Sequence, residues 1–423
     1  MKEEIKKGVT DRSVSTIEKI SYWNIVWSQL IRNRLALVGV WAIVFLVLLA
    51  IFAPLVSLNR PFWFFVESKG HEGVNLAGAS SYPFFTALID QNLFENGVDI
   101  FFNTLLLMSP FFLLIWMLVR HFLGTLFPQH RHMVILFLLA MQGIAFFLVW
   151  GPMARHDRYF DYRKTIESLE EQGAEVSYCF PLFRYSFREV DAMRSHPLPP
   201  SWEHLCGTDR EGRDVFVRMV YGTRISLTIG VVAVSIYVTI GIILGSLAGY
   251  FGGWVDMLIS RFVEIMLCFP AFFLILTLAA FIEQRSIFHV MAIIGLTRWT
   301  GVARLVRGEF LRQRNLDYVQ AAVALGLSKT RIIFGHVLPN AIAPVLVSAT
   351  FGVARAILTE SSLSFLGLGD LTAPSWGGIL SAGRAEGKLW LILVPGFAIF
   401  FVVSVFNLVG EGLRDALDPK LRQ

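Results

Sequence analysis

The sequence predicts an all-α membrane protein, a polytopic bundle of about eight transmembrane helices with a large extracytoplasmic loop. Hydrophobic residues make up 55% of the chain and charged residues 16%, whereas soluble domains carry roughly 25% charged residues. Eight apolar stretches approach the roughly 20 residues that a helix needs to cross the hydrocarbon core. Lys and Arg concentrate in particular connecting segments, which predicts the orientation of the bundle.

Each span must satisfy its backbone N–H and C=O groups within the segment, which in lipid requires a helix. The predicted spans are about 35–56, 101–119, 133–150, 225–251, 257–282, 287–305, 341–362 and 389–413. Arg298 interrupts the sixth span, and Pro270 predicts a kink in the fifth.

The distribution of basic residues predicts that both termini lie in the cytoplasm. Lys and Arg are retained on that side, and they are frequent in residues 1–34, in the loop 307–340 and in the tail 414–423. Eight spans return the chain to the side from which it started. The predicted organisation is therefore a cytoplasmic segment 1–34, a first span 35–56, an extracytoplasmic loop 57–100, a hairpin 101–152, an extracytoplasmic loop 153–223, a transmembrane core 224–413 and a cytoplasmic tail 414–423.

Several other classes of protein do not fit. The formal charge of +5 comes from dispersed residues with no accompanying nucleic-acid motif, so membrane loops explain it better than a nucleic-acid partner. Three cysteines are too few for a disulfide scaffold or a four-thiolate metal site. His121, His130 and His132 lie on one short loop, where an interfacial basic cluster is favoured over a metal site. No cofactor is expected.

The loop 307–340 carries the most informative local pattern. Good helix formers over Tyr318–Leu325 end at Gly326, and Ser328 can cap a second short helix running to His336. Two short helices outside the membrane would form a protrusion that docks in a groove on a partner. Composition alone also allows an ordinary surface loop.

The second extracytoplasmic loop predicts a small helix followed by an extended approach to the next span. A charged run covers 163–171, and Pro197, Pro199 and Pro200 follow it. A solvated cap with no specific role is the alternative interpretation.

In the cytoplasmic loop, Gln320, Ala321, Ala322 and Gly326, followed by Leu338 and Pro339, resemble the "EAA" loop of ABC importer permeases. Two positions depart from the usual pattern. Gln320 replaces the usual Glu, which removes a charge but keeps hydrogen bonding, and His336 stands where Ile is usual. The second departure resembles the peptide-importer branch of the family.

Further segments resemble the dipeptide, oligopeptide and nickel permease family in the same order, over about residues 205–423. They are Gly207-Thr-Asp-Arg-Glu-Gly-Arg-Asp-Val215, Tyr221-Gly-Thr-Arg-Ile-Ser-Leu227, Gly249-Tyr-Phe-Gly-Gly253, Ser364-Phe-Leu-Gly-Leu-Gly369 and Arg414-Asp-Ala-Leu-Asp-Pro-Lys-Leu421. Residues 32–54 are similar to that family's first span. Because the family usually has six spans, the predicted hairpin 101–152 looks like an insertion of two spans into a six-span core.

The resemblance implies a peptide importer in a bacterial inner membrane. Its expected partners are a second homologous permease, two cytoplasmic ATPase subunits, an extracytoplasmic substrate-binding protein and the lipid bilayer. ATP-driven closure of the ATPases would act on the loop and switch the pathway between two states. The residues of the EAA-like pattern, among them Gln320, Gly326 and Pro339, would belong to the part of the loop that couples to the ATPases. The chain itself should not hydrolyse ATP, because Lys329-Thr330 lacks the glycines of a phosphate-binding loop.

Ionisable residues inside spans are costly and therefore informative. They are Arg261, Glu264, Arg298, Arg355, Glu360 and Glu411. Arg355 and Glu360 lie deeper on the seventh span and are the first candidates for lining the pathway or pairing within it. Arg261, Glu264 and Glu411 are expected to reach an interface or to pair between helices.

The extracytoplasmic motif of the resembling family is represented by Gly207, Asp209, Gly212, Arg213 and Asp214. The position before it, usually a large apolar residue in that family, is here Cys206. Cys179 and Cys206 both lie on the side predicted to be oxidising, which suggests a disulfide between them. Two unpaired cysteines are the alternative.

Two other classes of function are open at this stage. A secondary transporter would couple ions without ATP and would show discontinuous spans, internal repeats and acidic residues at the midplane. A scaffold or signalling subunit of a membrane complex would use neither the loop nor the Gly207–Val215 segment.

Overall fold

A computed structural model describes residues 22–66, 81–122, 131–151, 160–172, 174–190 and 197–418, and within them helices predominate. The helices are α1 (Tyr22–Arg32), α2 (Arg34–Val56), α3 (Pro83–Ala87), α4 (Gly97–Phe122), α5 (Arg131–Trp150), α6 (Tyr162–Glu171), α7 (Val215–Phe251), α8 (Gly253–Cys268), α9 (Ala271–Ala280), α10 (Ile287–Gln313), α11 (Asp317–Ala324), α12 (Lys329–Ile332), α13 (Leu338–Phe365), α14 (Trp376–Glu386) and α15 (Leu389–Leu417), and the strands are β1 (Trp63–Val66) and β2 (Val176–Cys179). The predicted histidine cluster at 121, 130 and 132 lies outside the side chains that the structure describes.

Five helices of the described chain are long and apolar enough to cross a membrane, or six if α8 and α9 form one bent span. This confirms a polytopic helical bundle, but not all eight of the predicted spans meet that measure. The apolar stretch Val134–Trp150 is shorter than a full span. The predicted span 287–305 is the first part of α10, a helix whose low overall hydropathy follows from its several arginines.

The centre of the core is the contact between α7 and α10. Gly241, Gly245 and Gly249 recur every fourth residue along α7 and face α10 directly. A Cβ atom at Gly245 would lie 2.5 Å from the carbonyl oxygen of Ala303, and one at Gly249 would lie 2.5 Å from Cβ of Phe310. Small residues at this spacing let two helix backbones approach closely, which is the main source of helix association in lipid.

Close packing at glycines also joins α2 to α15. On α2, a Cβ at Gly39 would lie 2.8 Å from Val409 of α15, and a Cβ at Gly412 would lie 2.2 Å from Ala36 of α2. Helix α13 packs on α7, α10 and α15, so it contacts most of the long helices of the core.

A sharp bend separates α8 from α9, at an angle of 78°. Pro270 lies at the break and begins α9 as its N-terminal cap residue. The predicted kink is thus confirmed, although the structure has two separate helices rather than one bent helix. Proline causes the break because it donates no backbone hydrogen bond and fixes its own backbone angle.

The two segments predicted to lie outside the membrane combine into one unit, which we call the outer domain (residues 57–66 and 160–190). Strands β1 and β2 pair antiparallel, with Trp63 opposite Cys179. The predicted helix over 163–171 is confirmed as α6, which buries Ile166 and Leu169 against Phe64 and its neighbours. Aromatic and β-branched residues in both strands favour this pairing, but the strands lie far apart in the chain.

Helices α4 and α5 pack against each other as the predicted hairpin. Gln142 of α5 is buried and its amide nitrogen donates to the carbonyl of Phe101 and to the hydroxyl of Thr104, each at 3.1 Å. At the end of the hairpin, Gln91 donates to the carbonyl of Trp150 at 2.6 Å. One buried and one partly exposed side-chain amide therefore contribute to closing the hairpin.

The predicted disulfide is not formed, because Cys179 and Cys206 are both free thiols. The two cysteines belong to different parts of the molecule. Cys179 lies in the paired edge of the outer domain, whereas Cys206 packs against the main core beside the start of α7. The prediction of a disulfide between them is therefore wrong for this structure.

Candidate functional site

The short helix α11 and its turn form the first part of the predicted loop. The predicted helix over 318–325 is confirmed within one residue at each end. Gly326 has a φ of +74°, its amide donates to the carbonyl of Val323, and the amide of Leu327 donates to the carbonyl of Ala322. This is the Schellman arrangement that ends helices, and its left-handed position favours glycine.

One face of α11 is buried and the other is open. Val319 and Ala322 are buried in the main core together with Ile332 and Val337. On the open side Leu325 has 80% of its surface exposed and Val323 51%. This side of the loop therefore leaves apolar side chains accessible for contact with another molecule.

The second part of the loop differs from the prediction. Ser328 begins α12 as expected, although its side chain caps nothing, but the helix does not end at His336. A wider π-helical turn, Ile333–Val337, joins α12 to α13, so the chain is helical from 329 to 365. The wide turn directly precedes Pro339, whose ring would clash with the carbonyl of the preceding turn in a regular α-helix.

Backbone groups in and beside the wide turn have local hydrogen-bond partners. Leu338 donates its amide to the carbonyl of Ile333 across the wide turn. The carbonyl of His336 accepts a hydrogen bond from the side chain of Asn340 at 2.8 Å. Side-chain donation of this kind satisfies a carbonyl that the irregular turn leaves without its usual partner. His336 and Leu338 are half-buried and Pro339 is exposed.

Polar contacts fix the loop to the ends of α7, α8 and α10. The amide of Gln320 donates to the carbonyl of Arg314 at 3.1 Å, and Arg314 donates to the carbonyl of Gly249 at 3.3 Å. Arg307 forms a two-bond contact with Asp256 at 2.5 and 2.7 Å. Such paired contacts orient a side chain more strictly than a single bond does. The loop therefore has a rigid base and an open apolar face.

At the opposite end of α7, the predicted outer motif forms a tight polar turn. Gly207 and Gly212 both have positive φ, at +72° and +80°. The carboxylate of Asp209 accepts from the amide and the guanidinium of Arg213 and from the guanidinium of Arg218. This network satisfies a buried carboxylate and fixes the turn.

Asp214, the last residue of the motif, begins α7. One of its oxygens accepts from the amide of Val217 at 2.9 Å, which is the usual contact of a helix N-cap. The other lies 2.7 Å from Nδ1 of His204, which is also buried. The structure thus brings all five motif residues together, and their arrangement is that of a structural start for the core.

A buried charge cluster was missed by sequence reasoning. Arg224 of α7 and Asp99 of α4 are both fully buried, with 3.2 Å between Nη1 and Oδ1. Arg224 also donates to Asn103 at 2.9 Å and to the carbonyl of Ala50 at 2.7 Å. The available signal was the spacing of Asp99 and Asn103, which puts two polar side chains on one face of an apolar helix.

The two predicted pathway residues lie in different environments. Arg355 is exposed on the surface of α13. Glu360 is only 2% exposed, and its carboxylate accepts from Ser364 at 2.7 Å and from Ser361 at 3.3 Å. Burial and these serine contacts match the second of the two predicted roles of Glu360, pairing within the bundle, and lining of the pathway stays a prediction.

Other ionisable residues in the spans have ordinary roles. Arg261 and Glu264 of α8 form an ion pair of 2.6 Å, and both side chains are largely exposed. The pair lies within one helix, so it is not the expected pairing between helices. Arg298 of α10 is half-buried and donates to Thr359 of α13 at 3.1 Å, so it turns towards the same helix that carries Arg355.

Two segments of the chain match models of known protein families. Residues 241–423 match the family model of the binding-protein-dependent transport system inner membrane component. Residues 21–65 match the N-terminal TM domain of oligopeptide transport permease C. The loop and α13 lie within the first match. The hairpin and most of the outer domain lie outside both.

Three relatives illustrate the similarity. The chain is 45% identical to dipeptide transport system permease protein DppC of Alkalihalophilus pseudofirmus, over 53% of this chain and 74% of the relative. It is 43% identical to oligopeptide transport system permease protein OppC of Haemophilus influenzae, over 57% and 78%. It is 38% identical to glutathione transport system permease protein GsiD of Pectobacterium atrosepticum, over 58% and 82%.

Proposed function

Because the chain belongs to the dipeptide and oligopeptide permease family of ABC importers, we propose that it forms, with a second homologous permease, the pathway of a peptide importer. Family membership makes it a multi-pass inner membrane protein that works with ATPase and binding-protein components. The names of its relatives, which are permeases for dipeptides, oligopeptides and glutathione, support a peptide substrate.

The observation that carries this proposal is the open apolar face of α11 on its rigid base. Leu325 and Val323 are exposed, while Gln320 and Arg314 fix the base of the loop. An apolar helix face with small residues fits into a groove on a partner protein. We assign this face to one of two cytoplasmic ATPase subunits.

The continuous helix from 329 to 365 explains how the loop could act on the pathway. A helix is stiff along its axis, so displacement of α12 moves α13 as one body. Arg355 lies on the exposed surface of α13. Closure of the ATPase subunits would therefore move this part of the pathway wall.

ATP hydrolysis is assigned to the partner subunits. Lys329 and Thr330 lie in the first turn of α12, and the ammonium of Lys329 lies 5.5 Å from the ring centroid of Phe251. In this arrangement both termini and the loop face the cytoplasm, while the outer domain faces the substrate-binding protein.

Substitution of Gly326 tests the coupling role. Gly326→Arg forces a long charged side chain into a left-handed backbone position, at a cost of about 1–2 kcal/mol, and places a charge on the docking face. We expect ATP-dependent uptake in proteoliposomes to be lost, together with copurification of the ATPase subunits.

Gly387→Arg is the matched control. Gly387 ends α14 with a φ of +63° and, like Gly326, has open space around its Cβ position, but it lies at the opposite end of the core. This variant should keep both uptake and copurification. If Gly326→Arg also keeps both, the loop is not the docking surface.

A further inference from the structure

We infer that Arg298 and Arg355, together with Tyr237, form a carboxylate-binding site in the pathway wall, which receives the C-terminal carboxylate of a transported peptide. The inference rests on the proposed peptide substrate and adds the group of the substrate that this chain recognises. It depends on where the two arginines lie, on their lack of acidic partners, and on the geometry of a carboxylate.

Three helices bring the site together. Arg298 of α10 donates to Thr359 of α13 at 3.1 Å, and the charges of Arg298 and Arg355 are close enough to act on each other and on Tyr237 of α7. The Tyr237 hydroxyl packs directly over Gly352 of α13, where a Cβ atom would lie only 1.7 Å away. The close approach at Gly352 thus sets the hydroxyl beside the arginine pair.

Both arginines lie far from the ends of their helices. Ile287 begins α10 and Phe365 ends α13. These two ends lie together, because Ile287 donates to the nearby Asp370 at 3.2 Å. At a rise of about 1.5 Å per residue, Arg298 and Arg355 are each about 15 Å from that end. This depth is close to the middle of a hydrocarbon core about 30 Å thick.

The positive charge of the pair is not balanced within the described chain. Neither arginine forms an ion pair with a described carboxylate, and the Nε of Arg298 is buried without a described hydrogen-bond partner. Glu360, on the same helix as Arg355, is held by serine hydroxyls instead. Ionisable residues at this depth face a bundle interior or a water-filled cavity and bind a counter-charge.

A carboxylate is the anion that fits. Guanidinium groups bind carboxylates through planar pairs of hydrogen bonds, and two neighbouring guanidinium groups with a phenol supply donors to both oxygens. Every peptide with a free C-terminus carries such a group. An acidic side chain of the second permease carries the same chemistry, and the experiment separates the two sources.

The test compares two substrates and two side chains in the reconstituted transporter. Uptake of trialanine and of trialanine amide is measured with the wild-type chain, with Arg355→Gln and with Arg298→Gln. The binding protein is the same in all samples, so its own preference cancels when the acid-to-amide ratios are compared. We expect the ratio to fall by at least about tenfold in either variant, which is the effect of one lost charge-assisted hydrogen bond.

Two further variants complete the design. Arg355→Lys keeps the charge and should recover part of the ratio. Arg261→Gln removes an arginine whose partner is the exposed Glu264, and it should leave the ratio unchanged.

Three results would overturn the inference. Unchanged ratios in both glutamine variants would show that neither arginine recognises the carboxylate. Loss of the second permease from the purified complex of Arg355→Gln would assign the carboxylate to that subunit. Failure of the wild-type transporter to import trialanine would contradict the peptide substrate itself, and the inference with it.

Discussion

The permease core (α7 to α15) and the region mostly outside the family matches (the hairpin α4–α5 with the outer domain) are held by different interactions. In the core, glycines such as Gly241 and Gly245 let backbones approach until a Cβ would lie about 2.5 Å from the neighbouring helix. The hairpin is joined to the core through the buried Arg224, which contacts Asp99 and Asn103 of α4. Steric fit holds the core, and a polar anchor holds the hairpin.

This difference shows how extra helices can be joined to an existing bundle. Lipid removes most of the hydrophobic gain from helix association, so close packing or polar contacts must replace it. The hairpin lies outside both family matches, and its described residues show no row of glycines packed against the core like that of α7. Instead, its Asp99 supplies a counter-charge to an arginine of α7, in a segment that resembles the permease family.

Among the changes that test this comparison, removal of the Asp99 carboxylate should cause the largest loss of stability. Asp99→Ala leaves Arg224 charged and fully buried, at a cost of about 3–5 kcal/mol. We expect the detergent-purified protein to unfold at a clearly lower temperature, with proteolysis first in the hairpin. Glu264→Ala also removes an acidic partner of an arginine, but from an exposed pair, and should cost no more than about 1 kcal/mol.

A double variant sharpens the result. Asp99→Leu with Arg224→Met replaces the buried pair by apolar side chains, which is often neutral or stabilising. It should recover most of the stability lost in Asp99→Ala. Equal instability of the single and double variants would mean that the anchor acts through its shape rather than through its charge.

Substitution of a glycine of α7 that packs against α10 should cause the next largest loss of stability. Gly245→Val places a Cβ about 2.5 Å from the carbonyl oxygen of Ala303, a backbone atom that cannot move aside. Overpacking of this kind costs about 1–3 kcal/mol. Gly301→Val is the control, since Gly301 lies within α10 in open space. Thermal unfolding of the two variants should differ, and similar curves would argue against close packing of α7 on α10.

The smallest expected effect is a difference in alkylation rate between the two cysteines Cys206 and Cys179. Burial and the nearby Asp214 raise the pKa of the Cys206 thiol, so less thiolate is present at a given pH and alkylation is slower. At pH 8 we expect Cys206, in the core, to react more slowly than Cys179, in the outer domain. Its rate should continue to rise above the usual thiol pKa. Peptide mass analysis of alkylated protein measures both rates, and equal rates would contradict the difference in packing.

Much of the core was predictable because its signals are local. Length and hydropathy predicted α2, α7 and α15, and the glycine at 326 predicted the end of α11. The pairing of β1 with β2 was not predictable, because each strand is short and its partner lies far along the chain. The continuity of α12 with α13 was also missed, since Pro339 normally indicates a helix start and only the wide turn before it lets the helix continue.

Proximity of the loop to an ATPase subunit is the central claim, and a crosslinking pair tests it most directly. In a chain whose native cysteines are replaced by serine, Leu325→Cys and Leu182→Cys place thiols at sites of nearly equal exposure, 80% and 78%. The first lies at the end of α11 and the second in the outer domain.

We predict that a short bifunctional thiol reagent crosslinks Leu325→Cys to an ATPase subunit, with a yield that changes when ATP is added. Leu182→Cys should instead react with a membrane-impermeant reagent on intact cells. Crosslinking of the ATPase from Leu182→Cys, or labelling of Leu325→Cys on intact cells, would contradict the account.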